Sequence, residues 1–313
     1  MRGLQIIPYN TTIDFVGMRK VAYALSLIII LGSCIALLTK GLNLGIDFRG
    51  GFLLEIRTQQ AVNLADMRNK LSQLNMGEVK LQEFGTKNTV LIRLQRQPGG
   101  EKEQNAALDQ VKHALGNGIE YRRVENVGPK VSEELIHNGL LAVAFALVGM
   151  LIYIWFRFEW QYGLCGILAL LHDVIAVMGF YAVSGIEFNE TAFAAILTTV
   201  GYSINDSVVI YDRLRENLRK YKKTPLAEVI NLSANETLSR TMLTSGTTLV
   251  ALAALSFFGG PVIENFSLPI FVGVLVGTAS SIYISANLLL YFNLRRNLRD
   301  EEGQTANPVG GHE

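Results

Sequence analysis

Six runs of apolar residues, at about 21–38, 140–156, 163–183, 191–211, 241–258 and 267–292, limit what this chain can fold into more than any other feature. A helix that crosses a bilayer needs roughly 17–25 predominantly apolar residues, and each run approaches or exceeds that length. The first run follows Arg19 and Lys20, outlasts the apolar core of a signal peptide and has no clear small-x-small cleavage site after it. It is therefore expected to stay in place as a signal anchor. The basic residues orient the bundle. Arg2, Arg19 and Lys20 precede the first run, Arg157 separates the second from the third, and Arg213, Arg215, Arg219, Lys220, Lys222 and Lys223 follow the fourth. Arg295, Arg296 and Arg299 follow the sixth, whereas the loops at 184–190 and 259–266 hold no Lys or Arg. Short loops rich in Lys and Arg stay in the cytoplasm, so both termini are expected inside and the long segment after the first run outside.

That segment carries 25 of the 55 charged residues between positions 41 and 137, so the chain divides into an apolar part and one water-soluble part. A net charge of +1 averages over both and is no argument for nucleic acid as a partner. Within the soluble part, 51–57 alternates as a strand, 63–74 repeats Leu64, Met67, Leu71 and Leu74 at helical spacing, and 79–84 and 89–94 read as paired strands around Gly85, Lys87 and Asn88. A second amphipathic helix is expected over 101–115, with Ala107, Leu108, Val111 and Leu115 on one face, and a last strand over 119–127. The order β-α-β-β-α-β is that of a ferredoxin-like α+β fold, which by itself assigns no function.

Asp206 is an ionisable residue deep in an apolar run. Asp206, within 191–211, faces an insertion cost of roughly 2.5–3.5 kcal/mol at a bilayer centre, and such residues usually face a bundle interior and mark ion or proton paths. Arg240 opens the next run, which is antiparallel to this one, so their depths are compatible; Thr244 lies one helical turn further on. Burial and a nearby guanidinium act on a carboxylate's proton in opposite senses, and arginine itself does not deprotonate. The alternative is that the pair joins helices as a polar contact, worth about 0.6 kcal/mol on average. Ser203, Asn205 and Ser207 surround Asp206 and can hold water or bond a partner helix. Asp173, beside His172 in the third run, is a second candidate, either as a proton relay or as a hydrogen-bond partner of the fourth span. Gly273 and Gly277 form a small-xxx-small pair, read as close helix packing. Neither Cys34 nor Cys165 belongs to a metal motif, and no metal site, nucleophile or phosphate loop stands out, which speaks against an enzyme.

The motifs GIDFRGG (45–51), VGPKVSEEL (127–135), LLHDV (170–174), TTVGYSINDSVVIYDRLREN (198–217) and SRTMLTSGTTL (239–249) resemble, in this order and nearly from end to end, the SecD/SecF family of export membrane proteins, a branch of the RND superfamily. The resemblance implies a polytopic α-helical membrane protein whose six transmembrane helices are half of an RND-type bundle. Its expected divisions are 1–20 cytoplasmic, 21–39 the first span, 40–137 the periplasmic ferredoxin-like domain, 138–294 the remaining five spans and 295–313 a cytoplasmic tail. It further implies residence in the bacterial inner membrane, a SecD-like partner subunit, the SecYEG channel and YajC as associates, and an unfolded precursor polypeptide as the cargo. No cofactor is implied, protons being the coupling ion that drives late steps of translocation. Carried over by position, the proton path falls on Asp206, Arg240 and Thr244, with Asp173 as its further candidate. Gly45, Asp47, Arg49, Gly50 and Gly51 form a partner or hinge motif, whose glycines permit tight turns and whose Asp47 and Arg49 form either a solvated pair or a partner contact. Two other classes are open: an RND exporter of small substrates, against which a single short outer domain speaks, and a scaffold that uses no protons.

Overall fold

The computed structural model describes residues 11–292 and 294, except 61, 75, 78, 98, 100 and 117. The tail at 295–313, with Arg295, Arg296 and Arg299, lies outside the described residues, as does Arg2. Among them six helices are long and apolar enough to cross a membrane. These are α1 (Arg19–Thr39), and, after the soluble domain, α5 (Pro129–Arg157), α6 (Trp160–Ser184), α7 (Glu190–Lys220), α8 (Leu226–Phe258) and α9 (Gly260–Ser280). A π-helical turn, Ser281–Ser285, continues α9 and extends the last span to Tyr291. Helices α6, α7 and α9 hold most of the buried side chains, while α1, α5 and α8 leave Leu38, Phe156, Phe258 and many neighbours exposed as an apolar outer surface.

The second span was expected from about residue 140, but its helix begins at Pro129. Gly128 is extended and Pro129 occupies the first helical position, where its missing amide hydrogen costs nothing. The residues that follow are helical but too polar to register as part of an apolar run.

Between α1 and α5 lies the soluble domain. A single turn of helix, α2 (Ile46–Arg49), leads into β1 (Gly51–Arg57), α3 (Leu64–Ser72), β2 (Val79–Phe84), β3 (Thr86–Gln95), α4 (Glu101–Leu115) and β4 (Glu120–Val127). The strands form one antiparallel sheet in the order β2-β3-β1-β4, the ferredoxin-like topology. Alternation along the strands decides the two faces. Phe52, Leu54 and Ile56 of β1 and Val90, Ile92 and Leu94 of β3 meet Leu71 of α3 and Ala107 and Val111 of α4 in one buried core. The opposite face presents Leu53 and Leu91, which pack on Ile46 of α2, and, two residues along β3, Arg93.

Ahead of α1, the segment around Asp14 and Phe15 is fastened to α8 by two asparagines one turn apart. Asn231 accepts from the Val16 amide at 2.9 Å and donates to Asp14 at 2.6 Å, and Asn235 accepts from the Ile13 amide at 2.9 Å.

Candidate functional site

Helices α7 and α9 run side by side in the same direction, meshed by a four-residue repeat. Thr199, Ser203, Ser207 and Tyr211 line the face of α7, opposite Gly273, Gly277, Ser281 and Ser285. The absence of side chains at the upper two α9 positions allows the contact, because a Cβ on Gly273 would stand 2.3 Å from the Thr199 hydroxyl and one on Gly277 would stand 3.1 Å from Ser203. This agrees with packing as the role of the glycine pair. Lower in the seam the small residues become hydroxyl-bearing. The Ser207 hydroxyl donates to that of Ser281 at 3.0 Å, Ser281 donates to the Ser203 carbonyl at 3.0 Å, and Tyr211 hydrogen-bonds Ser285. Ser281 and Ser285 are the ends of the π-helical turn. Such turns leave the regular backbone ladder locally rearranged and are frequent at functional sites.

Two carboxylates border this seam. Asp173 of α6 is fully buried and takes three hydrogen bonds: from Ser203 at 2.6 Å, from Ser280 at 2.8 Å, and from Nδ1 of His172 at 2.9 Å. It therefore ties α6 to both α7 and α9. Asp206 of α7 is 2 % exposed and far less supported. From other helices Ser245 of α8 reaches it at 3.5 Å, the limit of a hydrogen bond, and the hydroxyl of Thr278 on α9, 2.8 Å from that of Ser245, also faces the carboxylate.

The structure does not bring Arg240 and Thr244 onto Asp206. Arg240 stands exposed on α8 and forms no ion pair with Asp206, and the Thr244 hydroxyl donates to the carbonyls of Arg240 and Thr241 in its own helix, at 3.1 and 3.0 Å. The residue of α8 that does reach the carboxylate is Ser245, which the sequence reading passed over. Successive helical residues point about 100° apart, so the neighbour of an expected contact takes its place when the helix is rotated by one position. Ser280, Ser281 and Ser285 were missed as well. Their signal is visible in hindsight, as hydroxyls recurring on the face that continues Gly273 and Gly277.

A third arrangement joins the domain to the bundle on the side where α7 begins. The strand-like segment before α2 forms a parallel bridge, Leu44 with Phe188, to the loop between α6 and α7. The Gly45 amide donates to the Phe188 carbonyl and the Phe188 amide to the Asn43 carbonyl, both at 2.9 Å. Asp47, expected as a solvated pair with Arg49 or as a partner contact, accepts the Glu190 amide at 3.2 Å, at the first residue of α7. A carboxylate there complements the helix dipole. Phe48 packs between the rings of Phe188 and Phe193, and Arg93 of the sheet pairs with Glu187 of the loop. Gly50 and Gly51 make the reversal from α2 into β1. Both have positive φ, +70° and +125°, and a Cβ on Gly51 would lie 2.3 Å from the Leu94 carbonyl oxygen, so no other residue fits there without displacing the sheet.

Comparison with known proteins follows these features closely. A family model for the C-terminal part of the export membrane proteins SecD and SecF matches residues 107–295, which include α5 to α9 and both carboxylates. A second model, for the SecD/SecF GG motif, matches residues 35–62, the turn just described. The chain belongs to the SecD/SecF family of export membrane proteins.

Within the SecD/SecF family its relatives are SecF subunits. Protein translocase subunit SecF of Rickettsia felis is 46% identical over 299 residues, covering 94% of this chain and 96% of the relative. That of Rickettsia bellii is 46% identical over 295 residues, covering 92% and 96%. Among solved structures, SecDF of Thermus thermophilus, described as a translocon-associated membrane protein, superposes with a TM-score of 0.81 at 37% identity over 91% of this chain. SecDF in a super-membrane-facing form superposes with a TM-score of 0.67 at 36% identity over 94%. The chain spans 39% and 40% of those two longer chains. Like its SecD/SecF relatives it is a multi-pass membrane protein with a role in protein export.

Proposed function

We propose that this chain is one six-span half of a proton-driven export motor in the bacterial inner membrane. It pairs with a SecD-like subunit, associates with the SecYEG channel and YajC, and helps to draw precursor polypeptides outward late in translocation. Both termini lie in the cytoplasm and the ferredoxin-like domain outside, as the distribution of Lys and Arg over the short loops supports.

The observation that carries this reading is Asp206: a carboxylate sealed among helices, touched by a serine hydroxyl, and without an ion-pair partner among the described residues. A structural contact would keep its counter-charge in place. Here Arg240 lies on the next helix, exposed and near enough for its charge to be felt at Asp206 but in no ion pair with it, so an alternative packing of α8 against α7 can bring the guanidinium onto the carboxylate and expel its proton. A proton moving down a 100 mV potential releases about 2.3 kcal/mol. That energy drives the change only because protonated Asp206 has a different free energy in the two arrangements. Thr244 follows Arg240 on the moving face, and Asp173 acts as the second carboxylate of the path, linked to α7 through Ser203. The stroke reaches the domain through the first residues of α7, which are bound to the GG-motif segment.

The deciding experiment is Asp206→Asn in inverted membrane vesicles that contain the partner subunits, with completion of precursor translocation scored with and without a proton motive force. Loss of the proton-dependent fraction with normal assembly is expected. Undiminished stimulation would make Asp206 a packing residue and the chain a scaffold.

A further inference from the structure

Two adjoining cavities, of about 500 and 330 Å³, lie where the domain meets the ends of α1 and α6. They share Asn43, Arg49 and Lys80, so they form one continuous depression. Arg93 and Arg96 line its upper part and Lys40 its lower part. Five cations from four separate places in the chain thus converge: the end of α1, the GG motif, β2, and β3 with the residue that follows it. Glu187 pairs with Arg93, and Lys80 also has an interaction within the protein, so the excess of positive charge rests chiefly on Lys40, Arg49 and Arg96. A collection of like charges is unfavourable in the empty protein, and guanidinium groups are well suited to bind phosphate through paired hydrogen bonds.

The position of the depression selects the ligand. Its floor is made by Ala182 and Val183 near the end of α6 and by the residues that follow α1 directly, from Lys40 on, and so lies at the level where the hydrocarbon layer ends. Val183 is exposed, as is Leu38 two residues before Lys40, so apolar surface begins where the basic surface stops. A molecule with an anionic head and an apolar tail meets both surfaces at once, whereas a soluble anion meets only the first. We propose that this depression binds the headgroup of an anionic phospholipid from the leaflet on the domain side, with Arg49, Lys80 and Arg96 holding the phosphate and Lys40 at the rim. Arg49 of the GG motif thereby gains a ligand, while Asp47 of the same motif serves α7. This site is independent of Asp206 and of the direction in which protons move.

The test uses the purified full chain in nanodiscs of equal parts phosphatidylglycerol and phosphatidylcholine, with retained lipid identified by native mass spectrometry. The protein is expected to keep phosphatidylglycerol selectively. Replacing Arg49, Lys80 and Arg96 together by Gln is expected to remove that selectivity, at roughly fivefold weaker retention for each charge lost. Arg96→Gln alone, beyond the end of β3 and exposed, gives the single-charge loss if the triple variant does not assemble. Equal retention of the two lipids by the unaltered protein, or unchanged selectivity in Arg96→Gln and the triple variant, would overturn the site. Displacement of phosphatidylglycerol by inorganic phosphate or by an acidic peptide at matched charge concentration would overturn the lipid assignment, in favour of a soluble anion or of a polypeptide.

Discussion

Asp173 and Asp206 are both carboxylates removed from water, yet their surroundings differ in kind. Three donors fix Asp173, whereas Asp206 is met more loosely, by the Ser245 hydroxyl at the edge of bonding distance and by that of Thr278 beside it. An amide at position 173 keeps an acceptor oxygen for Ser203 and Ser280, so Asp173→Asn is expected to preserve assembly and lower proton-dependent translocation only in part. Asp206→Asn is expected to abolish it, and the same vesicle assay compares the two. Equal losses would place Asp173 on the path as a full proton carrier. Glu187, outside the spans, offers a pH test. Burial lifts its carboxyl above the ordinary 4.5, the Arg93 guanidinium pulls it back down, and Asp47 raises it. A carboxyl whose folded value is raised binds more protons when folded than when unfolded, so its contribution to stability is full below 4.5 and is lost as pH rises through the folded value. Thermal unfolding of Glu187→Gln and the unaltered protein between acidic and neutral pH is therefore expected to shift in favour of the variant as pH rises. A difference that is flat with pH would contradict that burial. What the sequence tells about these residues is their depth, because a charge in an apolar run can be located by counting. It does not tell their azimuth, and for that reason Ser245 faces Asp206 where Thr244 was expected.

At the scale of elements, the seam between α7 and α9 depends on missing side chains. Gly273→Leu would push four carbon atoms into Thr199 and is expected to cost at least about 1–3 kcal/mol, visible as a lower unfolding temperature and reduced yield in detergent. Gly149→Ala on α5, where a Cβ would meet nothing within 4 Å, is the control and is expected to be neutral or stabilising by up to about 1 kcal/mol. Elements with a regular pattern were legible in advance. The strands Gly51–Arg57 and Val79–Phe84 and the helix Glu101–Leu115 follow from alternation and from apolar spacing. The start of α5 was not, since hydropathy measures where lipid begins and says little about where a helix begins when its first turns stand in water. The π-helical turn was equally invisible, because nothing in its composition separates it from α-helix and its geometry comes from the fit of Ser281 and Ser285 to α7.

At the scale of the molecule, two bodies of different construction meet at a small number of bonds. The bundle is held by buried apolar clusters, such as that around Phe158, Tyr162, Tyr211 and Leu214, with a seam of small and polar residues between α7 and α9, and the domain by a sheet-and-helix core. Among the described residues, a backbone bridge, the Arg93–Glu187 ion pair, the Asp47 contact, a hydrogen bond from the Asn43 side chain to the Gly185 carbonyl and a cluster of phenylalanines run between them. Cross-linking Arg93→Cys to Glu187→Cys with a bis-methanethiosulfonate reagent, whose length stands in for the two lost side chains, is expected to hold the domain on the α6–α7 loop and slow translocation reversibly, with recovery on reduction. The placement of the strands has a different consequence. β1 and β4 are neighbours, and Gly51, where the chain enters the sheet, pairs directly with Val127, where it leaves. Antiparallel partners stand only about 5 Å apart, so the whole domain begins and ends at nearly one point above the bundle. To the six helices it is a long insertion with closed ends. A larger, smaller or unrelated domain with adjacent termini can be inserted there without altering the path of any helix, which leaves the domain free to change while the membrane part stays the same.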